Sequence, residues 1–224
     1  MCDYLVALLP VTLAPNVITL IGFFCVLFCL LVMGLLFGLQ AEGPVDGWFK
    51  CLTGVLFFIY TVCDNMDGKQ ARRCGTGNPM GMLVDHGLDA ISCIMAAILQ
   101  PRFFQIGNGT VAFICFLMPT VPFYYCNFSE YYTGVLHLPA ISGPDESELI
   151  FCILCFVSAY VGDDLLSDLK INLGFGEQRF SHVLAYFIVV FEISSILSHT
   201  YSSLSNAKNE PHFKSRFILD KFVK

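Results

Sequence analysis

The sequence predicts an all-α fold, a polytopic bundle of about six transmembrane helices, and three observations carry that prediction. Of 224 residues, 56% are hydrophobic and only 13% charged, with a mean hydropathy of +0.69; ordinary globular chains are about one quarter charged. Apolar runs recur along the chain at lengths near the roughly 20 residues that a helix needs to cross the hydrocarbon layer. The basic residues collect in two places, after the second run and after the sixth.

The first run, 17–39, is too long for a signal-peptide core and has no basic stretch before it, so it reads as a retained first helix. Further spans are expected over 48–63, 82–99, 111–125, 149–161 and 182–197. Lys69, Arg72 and Arg73 follow the second, and Lys208, Lys214, Arg216, Lys221 and Lys224 follow the sixth. Loops rich in Lys and Arg stay on the cytoplasmic side, so both of these ends, and the loop 127–148, are expected there. The loops around Asp46, Asn108 and Asp163 then face the other side. Residues 1–200 form the expected membrane domain and 201–224 a polar, basic cytoplasmic tail.

A net charge of −6 with so few scattered basic residues gives no footprint for nucleic acid; the expected partner is the lipid bilayer. Eleven cysteines would suggest disulfides in a small secreted chain, but most lie inside apolar runs, where cysteine is a small hydrophobe. Cys152 and Cys155 have C-x-x-C spacing without a second pair, which does not make a zinc or redox centre. Of two N-x-[ST] sequons, Asn127 falls on the cytoplasmic side and Asn108 sits too close to its helices to be a convincing glycosylation site.

The second and third runs carry residues that a passive anchor would not tolerate. Asp64, Asp67, Asp85 and Asp89 fall within one short stretch, interleaved with Gly68, Ala71, Arg72 and Gly81. At about 100° per residue, Asp64, Asp67, Gly68, Ala71 and Arg72 share one helical face, and Gly81, Asp85 and Asp89 share another. The stretch 73–80, with Gly75, Gly77 and Pro79, is a turn by composition. The two helices therefore form a hairpin that presents carboxylates to carboxylates. Acids in an apolar helix are expensive against lipid and belong in a wet cavity or on an ion. Four of them together repel unless a cation neutralises them, and hard oxygen ligands select Mg²⁺, Mn²⁺ or Ca²⁺. The small residues allow close helix contact or close approach of a bulky ligand. Arg72 offers a planar fork for phosphate. A plainer reading has the acids pairing with Lys69, Arg72 and Arg73 at a helix end, which suits one acid better than four at this spacing.

The order D-x2-DG-x2-AR-x8-G-x3-D-x3-D, complete from Asp64 to Asp89, resembles the signature of the CDP-alcohol phosphotransferases. The wording Asp64-Asn65-Met66-Asp67-Gly68-Lys69-Gln70-Ala71-Arg72-Arg73 and Asp85-His86-Gly87-Leu88-Asp89-Ala90 is most similar to the choline/ethanolamine phosphotransferase subfamily. Ala14-Pro15-Asn16-Val17-Ile18-Thr19-Leu20 and a later stretch, Tyr132-Thr133-Gly134, Leu138-Pro139 and Gly143-Pro144-Asp145-Glu146, agree with it. The likeness covers about residues 10–165. It implies two Mg²⁺ or Mn²⁺ ions held by Asp64, Asp67, Asp85 and Asp89. It further implies a CDP-ethanolamine or CDP-choline donor bound by Asn16, Gly68, Ala71, Arg72 and Gly81, and a diacylglycerol acceptor. The base that deprotonates the acceptor is His86, aided by Glu146, or Asp89; a neutral imidazole titrates nearer the working pH than a metal-bound carboxylate. A homodimer and endoplasmic reticulum or Golgi membranes are also implied.

The chain departs from the subfamily at Met82, where glutamate is usual, at Asn127 and Phe128, and at Glu148, an added acid. The family's usual set has more helices than this chain. An alternative role is therefore a non-catalytic regulator or partner of a longer relative; a divalent-cation carrier would leave Arg72 and Gly81 without a task.

Overall fold

A computed structural model of the chain describes residues 2–133, 144–172 and 177–207. The elements run α1 (Cys2–Leu8), α2 (Pro15–Val32) prolonged by a π-helical turn (Met33–Phe37), α3 (Gly47–Cys74), α4 (Pro79–Phe103), α5 (Thr110–Thr133), α6 (Pro144–Val161), α7 (Asp163–Asp168), β1 (Lys170–Asn172), β2 (Glu177–Arg179) and α8 (Phe180–Ala207). The bundle is helical as expected. The sequence reading lacked α1, α7 and the antiparallel β1–β2 pair, all of which lie outside the apolar runs that guided it.

Among the described residues, four helices are long and apolar enough to cross a membrane: Pro15–Phe37, Gly47–Cys74, Pro79–Phe103 and Thr110–Phe128. The expected fifth and sixth spans are helices in the expected places, but they do not meet the same measure. α6 opens with Asp145, Glu146 and Glu148, and the apolar run of α8, Phe180–Ser194, is shorter. α2 turns Leu20, Phe24, Phe28, Leu31 and Leu35 outward, a continuous apolar stripe of the kind that lipid covers.

α3 is the axis of the bundle. It packs on α2 through Gly22, where an added Cβ would stand 3.0 Å from the Cys63 Cβ, and on α6 through Gly54, where one would meet the Phe156 ring at 3.1 Å and the Cys152 carbonyl at 3.2 Å. Buried rings join α3 to α6 and to α4: Phe57 meets Phe151 at 4.7 Å between centroids, and Phe49 meets Phe103 edge-on at 5.6 Å. α3 ends at Gly75, whose φ of +65° lets its N–H and that of Thr76 return to the Arg72 and Ala71 carbonyls. Asn78 then caps α4 by accepting from Gly81 N at 2.8 Å, with Pro79 in its first turn. The α3–α4 hairpin read from Gly75, Gly77 and Pro79 is thereby formed.

At one end of the bundle, buried Lys50 pairs with Asp163 and donates to Ser158 Oγ at 2.8 Å. Asp163 also accepts from Val45 N at 2.8 Å, and Ser158 donates to the Phe103 carbonyl at 2.7 Å. Arg102 donates to the carbonyls of Gly38, Gln40 and Pro44. The loops around Asp46, Asn108 and Asp163, expected on one side, meet here. At the opposite end, α3 holds α1. Lys69 pairs with Asp3 at 2.8 Å, and that ammonium keeps the Asp3 carboxyl below its ordinary range. Gln70 donates to the Pro10 and Leu13 carbonyls, and Arg73 to those of Val6 and Leu9.

Removing one member of a buried ion pair strands the other, at a cost of about 3–5 kcal/mol. Lys50→Met should therefore lower the thermal unfolding midpoint in detergent clearly, and adding Asp163→Asn should recover part of the loss. Divalent-cation binding at the far end of α3 should persist at temperatures where the variant remains folded.

Candidate functional site

The acids gather where the second half of α3 faces the first half of α4. Asp64, Asp67 and Asp85 each offer an oxygen within 4.8 Å of the others. Asp67 lies in hydrogen-bonding reach of Asp85, and Asp64 of Asp89. Among the described residues none of the four is ion-paired with a lysine or arginine; Lys69 is engaged by Asp3 and Arg73 by the Val6 and Leu9 carbonyls. The plainer reading, in which these acids only neutralise neighbouring bases, fails on that geometry.

Two donors outside the motif orient the acids. Thr19 on α2 donates to Asp67 Oδ2, and Tyr60, one turn before Asp64, donates to Asp89 Oδ1 at 2.9 Å. The sequence held a signal for Tyr60, which precedes Asp64 by one helical repeat, but none that ties Thr19, on a separate helix, to the acids. Asp85 Oδ1 is buried with no hydrogen-bond partner. An unmet carboxylate oxygen amid three further acids is a strongly unfavourable arrangement for the protein alone, and it is what a hard divalent cation would complete. The residues fit such an ion.

Two cavities meet at these acids. A groove of about 850 Å³ runs between the start of α2, the end of α3 and the turn into α4, and it is lined by Asn16, Gly68, Ala71, Arg72 and Gly81 together with Met82. Every residue expected to bind the donor thus lies in one groove. A Cβ on Gly68 would stand 3.5 Å from Arg72 Nη1, and one on Gly81 the same distance from Asn16 Oδ1. Packing alone would tolerate alanine there; glycine leaves the groove floor bare. The second cavity, a chamber of about 590 Å³, lies among α3, α4, α5, α6 and α8. Its walls are mostly apolar, including Phe57, Phe123, Phe151, Phe187 and Phe191, with Tyr60, His86, Asp89, Ser92, Glu148 and Glu192 as polar points. Asp67, Gly68, Arg72 and Asp85 line both cavities.

His86 is half-buried in the chamber wall, its Nδ1 3.8 Å from Glu130 Oε2. Glu146, expected beside it, is exposed and absent from the lining of either cavity. Two positions further on, Glu148 lines the chamber and accepts from Thr61 Oγ1 at 2.7 Å. Residues two apart on a helix point to nearly opposite sides, and Glu148 shares the inner face of α6 with Phe151, Cys152 and Cys155. That register was available in the sequence. Glu192 on α8, which the sequence reading passed over, is buried in the same chamber and accepts from Ser147 Oγ at 3.0 Å. The stretch 134–143, part of the resemblance, lies outside the described residues. All eleven cysteines are free, with Cys152 and Cys155 buried.

Comparison with known proteins matches this arrangement. Residues 12–143 fit the family model for CDP-alcohol phosphatidyltransferase, a span that includes α2, the α3–α4 hairpin and every groove residue but Val11. Choline/ethanolaminephosphotransferase 1 of Arabidopsis thaliana is 35% identical over 157 residues, 70% of this chain and 40% of that protein. Ethanolaminephosphotransferase 1 of Homo sapiens is 36% identical over 167 residues, 70% of this chain and 42% of that protein. A CDP-alcohol phosphatidyltransferase class-I family protein of Dictyostelium discoideum is 28% identical over 204 residues, covering 91% of this chain and 53% of its own length. The chain spans about two fifths to one half of the curated relatives it matches. With the motif, the carboxylate cluster and the apolar spanning helices all falling inside the matched segment, the chain is a membrane protein that belongs to the CDP-alcohol phosphatidyltransferase family.

Proposed function

We propose that this protein transfers phosphoethanolamine or phosphocholine from the corresponding CDP ester to the free hydroxyl of diacylglycerol, releasing CMP. The observation that carries the reading is the seam at Asp67 and Asp85, where a groove lined by small and polar residues such as Asn16, Gly68, Arg72 and Gly81 and a chamber lined by bulky apolar rings open onto the same carboxylates. A water-soluble nucleotide suits the first cavity and a lipid suits the second.

The donor lies in the groove, its cytidylate end held by Asn16 and Arg72 over the bare floor at Gly68, Ala71 and Gly81. Asp64, Asp67, Asp85 and Asp89 would hold two Mg²⁺ or Mn²⁺ ions, which when bound neutralise the diphosphate and polarise the phosphorus under attack. The diacylglycerol hydroxyl reaches the seam from the chamber. Its oxygen bonds to the phosphorus that carries the aminoalcohol, the bridging P–O bond breaks, and the electron pair leaves with CMP. The hydroxyl proton goes to His86. With Nδ1 turned toward Glu130, the accepting atom is Nε2. Asp89 is the weaker candidate, since it already receives the Tyr60 hydroxyl and faces Asp64. Glu148 takes the supporting place that the resemblance gave to Glu146, because it is the acid of this pair that faces the chamber. The acids lie at the end of α3 that carries Lys69, Arg72 and Arg73, which supports a cytoplasmic site in endoplasmic reticulum or Golgi membranes.

Asp85→Asn should abolish Mn²⁺ binding measured by electron paramagnetic resonance titration, and Thr19→Val, which frees Asp67, should weaken it by about tenfold. Intact Mn²⁺ affinity in Asp85→Asn would remove the metal from this site.

Metal-dependent CMP release from CDP-ethanolamine or CDP-choline with diacylglycerol is the direct assay. His86→Ala should lower kcat by about 10²- to 10⁴-fold, the usual worth of a general base, with donor affinity held within a few-fold. Glu148→Gln should cost more activity than Glu146→Gln. No CMP release from folded, Mn²⁺-binding protein would overturn the transfer reading, and a larger loss in Glu146→Gln would overturn the place given to Glu148.

A further inference from the structure

Among the described residues, the buried side-chain nitrogen and oxygen atoms without a hydrogen-bond partner belong to Thr53, Gln70, Asp85, Ser92, Arg102 and Ser181. Only Asp85 and Ser92 of these line the chamber. The cation accounts for Asp85. It does not account for Ser92, a neutral hydroxyl that is 1% exposed and sits on α4 three residues beyond Asp89. A hydroxyl in an apolar helix ordinarily bonds back to the carbonyl one turn earlier. Thr200 does so on Ile196 at 2.7 Å. Ser92 has no such bond and stands in the chamber wall with its hydrogen unused.

We propose that Ser92 donates a hydrogen bond to an ester carbonyl of the lipid acceptor and so makes the chamber selective for acylglycerols over ether-linked glycerols. The inference rests on the transfer reading above. From Asp89 to Ser92 the helix rises about 4.5 Å and returns almost to the same face. In an acylglycerol the nearest ester carbonyl lies only a few bonds from the free hydroxyl. A hydroxyl placed level with His86 and Asp89 therefore leaves that carbonyl one turn deeper, beside Ser92. Of the polar points nearest this level, Glu148 and Glu192 as carboxylates only accept and Ser147 gives its hydrogen to Glu192, while the Gln100 amide stands two further turns along α4.

The test is acceptor preference in Ser92→Ala and in Ser92→Cys, which keeps the volume but is a weak donor. Binding is read first, without donor, as the thermal shift produced by dioctanoylglycerol and by its dioctyl ether on the Mn²⁺-loaded protein in nanodiscs. The unmodified chain should prefer the ester, and both variants should reduce that preference by roughly five- to tenfold, the worth of one neutral hydrogen bond. An unchanged preference in the variants, an equal loss of both lipids, or no preference in the unmodified chain would overturn the assignment. CMP release with the same two acceptors is a separate arm. Its absence would overturn the transfer reading, while the binding arm still decides Ser92.

Discussion

Four carboxylates enclosed between two apolar helices, with no lysine or arginine among the described residues paired to any of them, set the terms for the rest of the molecule. Two unit charges 4 Å apart interact by about 4 kcal/mol even at an effective dielectric of 20, and the triad packs three donor oxygens within 4.8 Å. Thr19 and Tyr60 each satisfy one carboxylate oxygen without adding charge, so they orient the acids but do not neutralise them. A bound divalent cation would supply the missing positive charge. Because the carboxylates converge only when α3 and α4 are paired, ion binding and formation of the hairpin stabilise each other.

The scaffold around the acids resists their separation at both ends. Beyond the site, α3 carries α1 through Lys69, Gln70 and Arg73, which takes two of the nearest positive charges out of reach of the aspartates. At the far end, Lys50, Ser158 and Asp163 join α3 to α6 and to the loop before it, and Arg102 closes that loop over the end of α4. Between these anchors, Gly22 and Gly54 bring α2 and α6 to backbone distance from α3. The basic cluster after the second apolar run therefore has a structural task in addition to any topological one: two of its members are clamps, and Arg72 is the one left to line the groove.

Much of the site was legible because it is local. The α3–α4 acids are close in sequence, helical periodicity places them on facing stripes, and Gly75, Asn78 and Pro79 turn the chain between them. What escaped is what comes from elsewhere in the chain. Thr19 and Glu192 reach the acids or the chamber from α2 and α8, and no spacing rule connects them to residues 64–89. Glu146 and Glu148 differ only in which face of α6 they occupy, a distinction that needs the helix register and not the composition. The span count was read from apolarity alone; among the described residues α6 falls outside the length-and-composition measure because it carries Asp145, Glu146 and Glu148, of which Glu148 lines the chamber.

That conflict between crossing a membrane and lining a polar chamber recurs in the reaction itself. On the transfer reading, the two substrates do not mix: one is a charged nucleotide dissolved in water and the other a lipid dissolved in the bilayer. A single cavity polar enough for the first would exclude the second. The fold separates them, with Asn16 and Gly81 in the groove and the phenylalanines of α3, α5, α6 and α8 in the chamber, and lets the cavities meet where Asp67, Gly68, Arg72 and Asp85 stand. On that reading the acids have to face both cavities, which suits their place in the second half of α3 and the first half of α4, toward the turn that joins the two helices. Their position along the helix is as much a requirement of the chemistry as their number.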